Sequence, residues 1–134
     1  MKVRNKRVAK KNELSGLNDL IIQAIQDKKG EQIVSLDLRH INDAVADYFI
    51  ICEANNTTQV KAIADNIMEH TRKATGEKPW HTEGQHNMEW VLIDFVNVVV
   101  HVFLKEVRRF YQLEDLWSDA TIIEFNSYLN SSKK

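Results

Sequence analysis

A chain of 134 residues, 43% hydrophobic and 28% charged, accommodates one domain with its own core. Its single cysteine, Cys52, excludes an intramolecular disulfide and fits a reducing compartment. No run approaches the ~20 apolar residues of a membrane helix, and the polar start, Met1 to Glu13, is not expected to act as a secretory leader.

The net charge of −1 is unevenly spread: six cations (Lys2, Arg4, Lys6, Arg7, Lys10 and Lys11) precede the first acid, Glu13, which leaves −7 on the remainder. Residues 1–12 therefore read as a basic, flexible arm, 13–118 as the domain, and 119–134 as a weakly patterned tail. Such an arm suits either a solvated tail or a peripheral contact to RNA phosphates through Lys6, Arg7, Lys10 and Lys11.

In chain order, Leu14, Leu17, Ile21, Ala24 and Ile25 recur at helical spacing. Asn12 or Ser15 is a candidate cap, and Gly30 marks the end. Ile33 to Leu38 reads as a strand, and Tyr48 to Glu53 as a buried one, being rich in aromatic and β-branched residues. Asn56 and Gln59 have the spacing of a capping pair. The stripe Val60, Ile63, Ala64, Ile67 and Met68 behind them predicts a second helix ending at Gly76. Pro79 to Thr82 is extended, and 83–87 is a polar loop. Trp90 to Phe95 and Val98 to Leu104 are strands, and Lys105 to Trp117 a third helix. The order predicts an α/β (α+β) domain: a mixed sheet of about five strands with three main helices.

The last two strands are the most informative. With Val96-Asn97 as a two-residue turn, Phe95 faces Val98, Ile93 faces Val100 and Val91 faces Val102. That apolar side belongs under the helices. Alternation puts Trp90, Leu92 and Asp94 on the other side, opposite Phe103, His101 and Val99. This second face mixes aromatics with Asp and His. It is either a surface that a partner buries or a second core in which Asp94 and His101 pair.

Chemistry-bearing patterns are sparse. His40, His70, His81, His86 and His101 match no zinc spacing, and Cys52 lies in an apolar run expected to be inert core. The four glycines are unclustered, so no phosphate cradle is expected. Asp37, Asp43, Asp47 and Asp94 lack the Gly-Ser turn that leads into paired metal carboxylates in nucleotidyl transfer. No cofactor, metal or catalytic residue is expected.

An ordered set of segments carries a resemblance. It comprises Leu36-Asp37, Asp47 to Cys52 (DYFIIC), Glu83-Gly84, Trp90 to Asp94 (WVLID), Val98 to Phe103 (VVVHVF), Arg108-Arg109 and Tyr111 to Trp117 (YQLEDLW). Together these resemble the ribosomal silencing factor S family, also called the Iojap family, from about Leu17 to Trp117. The resemblance implies a nucleotidyltransferase-like fold without known catalytic activity. It implies binding to ribosomal protein L-fourteen on the large subunit, which blocks joining of the small subunit and represses translation. It places the binding surface on Trp90, Asp94, His101 and Phe103, with Tyr111, Leu113 and Trp117 beyond. Tyr111 and Trp117 could equally pin the last helix to the core.

The sequence departs from the pattern in two places: Glu53-Ala54 follows the cysteine where many relatives have Thr-Gly, and Val96-Asn97 occupies the turn where many have Gly-Asp. Bacterial cytosol is the expected compartment, and pairing of the exposed face into a homodimer is an expectation for the free protein. The alternatives are a large-subunit assembly factor, a nucleotidyltransferase-like enzyme, which would bind nucleotide with magnesium, and a general RNA-binding module acting through the arm.

Overall fold

The computed structural model describes residues 5–8, 16–112 and 120–125. In chain order the elements are β1 (Asn5–Val8), α1 (Gly16–Asp27), β2 (Glu31–Asp37), β3 (Tyr48–Ala54) and α2 (Thr57–Thr75). They continue with β4 (His81–Glu83), β5 (Trp90–Asp94), β6 (Val98–Leu104), α3 (Lys105–Tyr111) and β7 (Thr121–Phe125). The fold is α+β: one mixed sheet, ordered β1-β7-β2-β3-β6-β5-β4, with three helices among the described residues. The β3–β6 and β1–β7 pairs are parallel and the others antiparallel.

The sheet has seven strands rather than about five. The two additions come from the stretches expected as arm and tail, which have too little apolar periodicity to stand out alone. Once β2 offers an open edge, Thr121–Phe125 pairs with it and buries Ile122 and Ile123. β1 then pairs with β7, Lys6 opposite Ile122 and Arg7 opposite Ile123. Lys10 and Lys11 lie outside the described residues.

Helix boundaries follow their caps. Asn56 Oδ1 accepts from the Gln59 amide at 2.8 Å, and Gln59 Oε1 accepts from the Asn55 amide at 3.0 Å, which satisfies donors at the start of α2. Gln59 also donates to the carbonyls of Lys28 and Lys29, so the same residue closes the end of α1. At that end Lys29, not Gly30, takes the left-handed conformation (φ 64°). Gly30 is needed for space, because a Cβ there would collide with the Ile25 side chain. α3 ends at Tyr111 with Gln112 (φ 47°) as its C-cap, and the expected continuation to Trp117 lies outside the described residues.

Each face of the sheet carries a core. Beneath α1 and α2 lie Ile33, Ile50, Cys52, Val91, Ile93, Val98, Val100 and Val102, in contact with Ile21, Ile25, Ile63 and Ile67. On the opposite face Leu36, Phe49, Ile51, Val99, Phe103 and Ile122 form a second cluster. It is flanked by the segment containing Ile41, Ala44 and Ala46 and by Val107 of α3.

The β5–β6 hairpin has the expected register, with Trp90 opposite Phe103, Leu92 opposite His101 and Asp94 opposite Val99. Its turn is tight: the Phe95 amide donates to the Val98 carbonyl at 2.8 Å, and the Asn97 amide to the Phe95 carbonyl at 3.0 Å. Val96, not Asn97, takes the positive φ of 77°, the value of the rare, strained γ-turn. A β-branched residue there is disfavoured by about 1–2 kcal/mol. Asp94 Oδ1 holds the turn by accepting from the Val96 amide at 2.7 Å. Val96→Gly should therefore stabilise the fold by roughly 0.5–1 kcal/mol, after allowing for glycine's extra freedom in the unfolded chain. Thermal unfolding should show a Tm rise of about 2–5 °C; a lower Tm would mean that Val96 is not strained.

Candidate docking site

α3 begins directly after β6 and turns back over the second face, next to the loop that joins β4 to β5. Between them lies an open groove of about 540 Å³, lined by Gly84, His86, Asn87, Glu89, Trp90, Glu106, Val107, Phe110 and Tyr111. Its walls are aromatic. The Trp90 and Tyr111 rings are 4.7 Å apart, and Phe110 meets Tyr111 edge-on at 5.1 Å. Phe110 is 80% exposed and Tyr111 50%, a large apolar area to leave in water. The exposed carboxylates Glu89 and Glu106 border it, and neither forms an ion pair among the described residues.

Gly84 makes the loop's approach possible. Its φ is 86°, and a Cβ would collide with the Trp90 carbonyl. The Glu83-Gly84 pair thus has a local cause: only glycine lets the loop lie against the strand that carries Trp90.

Residues expected on one interface divide by depth. Trp90 is half-buried, with its ring stacked on Phe103 at 4.8 Å and its edge in the groove. Phe103 and His101 are not accessible to a partner; they are buried in the second core. The expectation of one continuous interface face does not hold, because Phe103 clusters with Val34, Leu36, Leu38 and Ala120 in the second core, and His101 is buried with it. Asp94 does not pair with His101, since its carboxylate is used by the Val96 amide. It lies on the sheet face beside His81 of β4, at the far end of β5 from Trp90. Tyr111 is a groove wall, and Leu113 and Trp117 lie outside the described residues.

Phe110 was missed in the sequence. Val107, Phe110 and Tyr111, at i, i+3 and i+4, share one side of a short helix and line the groove together. An aromatic at such a position is a signal of a contact surface.

His101 is a core histidine. Its Nδ1 accepts from Trp90 Nε1–H at 3.0 Å, so the proton of the neutral ring sits on Nε2. Nε2 finds no partner among the described residues. Phe49 packs on the ring at 4.9 Å. Burial pushes its pKa down to about 4, so the ring is neutral near pH 7.

Other candidates are engaged or sealed. Asp37 is clamped by Arg39 (Nε at 2.9 Å, Nη2 at 2.7 Å), and these hydrogen bonds hold its carboxyl below the usual range. Arg39 also lies over the Tyr48 ring. Burial pushes the Cys52 thiol up to about 12, which rules out a thiolate nucleophile at neutral pH. Among the described residues, no three His, Cys, Asp or Glu side chains gather as a metal site. No helix among them is long and apolar enough to cross a membrane.

Fold and groove together define a two-cored α+β domain with an open aromatic groove. Comparison with known proteins places it more narrowly. The model of the family described as "Ribosomal silencing factor during starvation" matches residues 11–134. Ribosomal silencing factor RsfS of Halalkalibacterium halodurans is 40% identical over 114 residues, covering 85% of this chain and 96% of that protein. RsfS of Bacillus subtilis is 42% identical over 107 residues, covering 80% and 89%. A crystal structure of a Chromobacterium violaceum protein superposes with a TM-score of 0.71 at 36% identity, covering 75% of this chain and 82% of the other. The chain belongs to the ribosomal silencing factor family.

The depressed pKa of His101 carries a pH signature. Between pH ~4 and ~6.5 the unfolded ring binds a proton that the folded ring does not, so stability falls as pH drops through this window. His101 should contribute a loss on the order of 3 kcal/mol across it. Denaturant titrations from pH 7 to 4 should show a shallower decline in His101→Gln, which keeps an acceptor for Trp90. Identical slopes in the two proteins would contradict the assignment.

Proposed function

We propose that this protein is a non-catalytic docking module that binds the large ribosomal subunit through ribosomal protein L-fourteen and sterically prevents the small subunit from joining. The observation that carries this reading is the groove between Trp90, Phe110 and Tyr111, with its unpaired carboxylates Glu89 and Glu106. Membership of the ribosomal silencing factor family supports a ribosomal target.

The groove's chemistry describes its partner. Apolar aromatic walls favour burial of an apolar side chain, and large rings of this kind often anchor interfaces. The carboxylate rim favours cations around that anchor, consistent with the −7 carried after the first twelve residues. A basic ribosomal protein segment with an apolar tip satisfies both. The mechanism asks for no bond-making. One end of the domain is held, and the rigid double-cored body fills the space that the opposing subunit needs. The engagement of Asp37 by Arg39, and of Asp94 by its own turn, favours binding over turnover.

The test uses the most exposed walls, so that the core stays intact. Phe110→Ala and Tyr111→Ala should each retain the wild-type Tm within a few degrees. An anchor worth about 2 kcal/mol weakens binding roughly 30-fold when truncated. Affinity for purified large subunits, and for isolated L-fourteen, should fall by that order in at least one variant. Wild-type affinity in both would place the docking surface elsewhere.

A further inference from the structure

α3 is a poor helix by its own means. It has seven residues, its N-cap Leu104 supplies no side-chain bond, and it ends on a non-glycine residue, Gln112, with positive φ. Isolated segments this short do not hold a helix in water. Of its groove residues, Glu106, Phe110 and Tyr111 are exposed, and only Val107 packs against the second core. Something on its inner side must fix where those rings stand.

The inner side carries an ion pair that the docking reading does not use. Arg108 is 8% exposed and Glu53, on β3, is 7% exposed. Arg108 Nη1 donates to Glu53 Oε1 at 3.3 Å and to the Gln32 carbonyl at 2.6 Å. Gln32 sits at a break in the β2–β3 register, between the Glu31–Glu53 and Val34–Ile51 pairs, with a positive φ of 50°. This irregular backbone provides the carbonyl that the guanidinium meets. Burial raises the pKa of Glu53, and the nearby guanidinium opposes that shift. Buried ion pairs add little net stability over apolar replacements, and their best-attested role is to fix one geometry among several.

We infer that the Arg108–Glu53 pair, with the Gln32 carbonyl, is a positioning device that sets α3 so that Phe110 and Tyr111 face Trp90 across the groove. Arg108 and Glu53 act through those rings and do not themselves touch the partner. The inference rests on the docking reading for its functional consequence; its structural part stands independently.

The decisive variant replaces both charges together, Glu53→Gln with Arg108→Met. Three measurements are made on it: the Tm, ring-to-ring NOEs between Trp90 and Tyr111, and affinity for purified large subunits. A Tm within a few degrees of wild type, with lost NOEs and at least tenfold weaker binding, is the expected result. Retained NOEs, or wild-type affinity in a folded protein, would overturn the inference. Should that variant fail to fold, Arg108→Lys takes its place. It keeps the positive charge but loses the planar guanidinium, and the same two outcomes apply. Tyr111→Ala, run in parallel, separates the failures. If it weakens binding while the paired variant does not, the positioning role alone is wrong; if neither weakens binding, the docking surface itself is wrong.

Discussion

The register of β5 against β6, and of β6 against β3, is the constraint on which everything else depends. Side chains alternate along a strand, so a slip of one residue would exchange the two faces completely. In the register observed, Val91, Ile93, Val100 and Val102 lie beneath α1 and α2. Trp90, His101 and Phe103 are sent to the opposite side. The parallel pairing of Ile51 with His101 and of Glu53 with Phe103 extends the same parity to β3. It places Phe49 next to His101 and Glu53 where α3 can reach it. The wish to bury valines on one face thus fixes which aromatics and which charge appear on the other.

That second face is a core at its centre and a surface at one margin. Phe103 is buried, Trp90 half-buried, Tyr111 half-exposed and Phe110 almost free, a gradient along one run of rings. The margin is where the covering segment around Ile41 to Ala46 gives way to α3 and the Gly84 loop. On the proposed reading, a docking surface that grows out of a packed core inherits its rigidity. Its inner rings are held by neighbours before any partner arrives, so less ordering accompanies binding. Backbone strain lies at Val96 and at Gln32, on opposite margins of this platform, the latter directly beneath the helix that carries the outer rings.

Much of this was legible in the sequence, for physical reasons that differ from element to element. The hairpin register followed from strict alternation. The α2 start followed from Asn56 and Gln59, whose side chains have few other uses at that spacing. β1, at the sheet's edge, and β7 beside it were not legible, because strands of four and five residues leave a weak pattern. The burial of His101 and Phe103 was underdetermined: the residues of the second core, including Leu36, Leu38 and Ala120, come from distant parts of the chain. Phe110 was passed over within the third helix, and the Glu53–Arg108 pair spans 55 positions that no local pattern connects. The departure at Glu53 acquires a reason only once Arg108 is seen above it.

The central claim is occlusion: the domain occupies the large subunit in a way that excludes the small one. Sedimentation of purified subunits, under conditions where they normally join, tests it most directly. With the protein added, the joined peak should fall in proportion to the protein bound, and the protein should travel with the large subunit alone. If the protein instead travels with fully joined ribosomes, or stays at the top of the gradient while the subunits join, the account is contradicted.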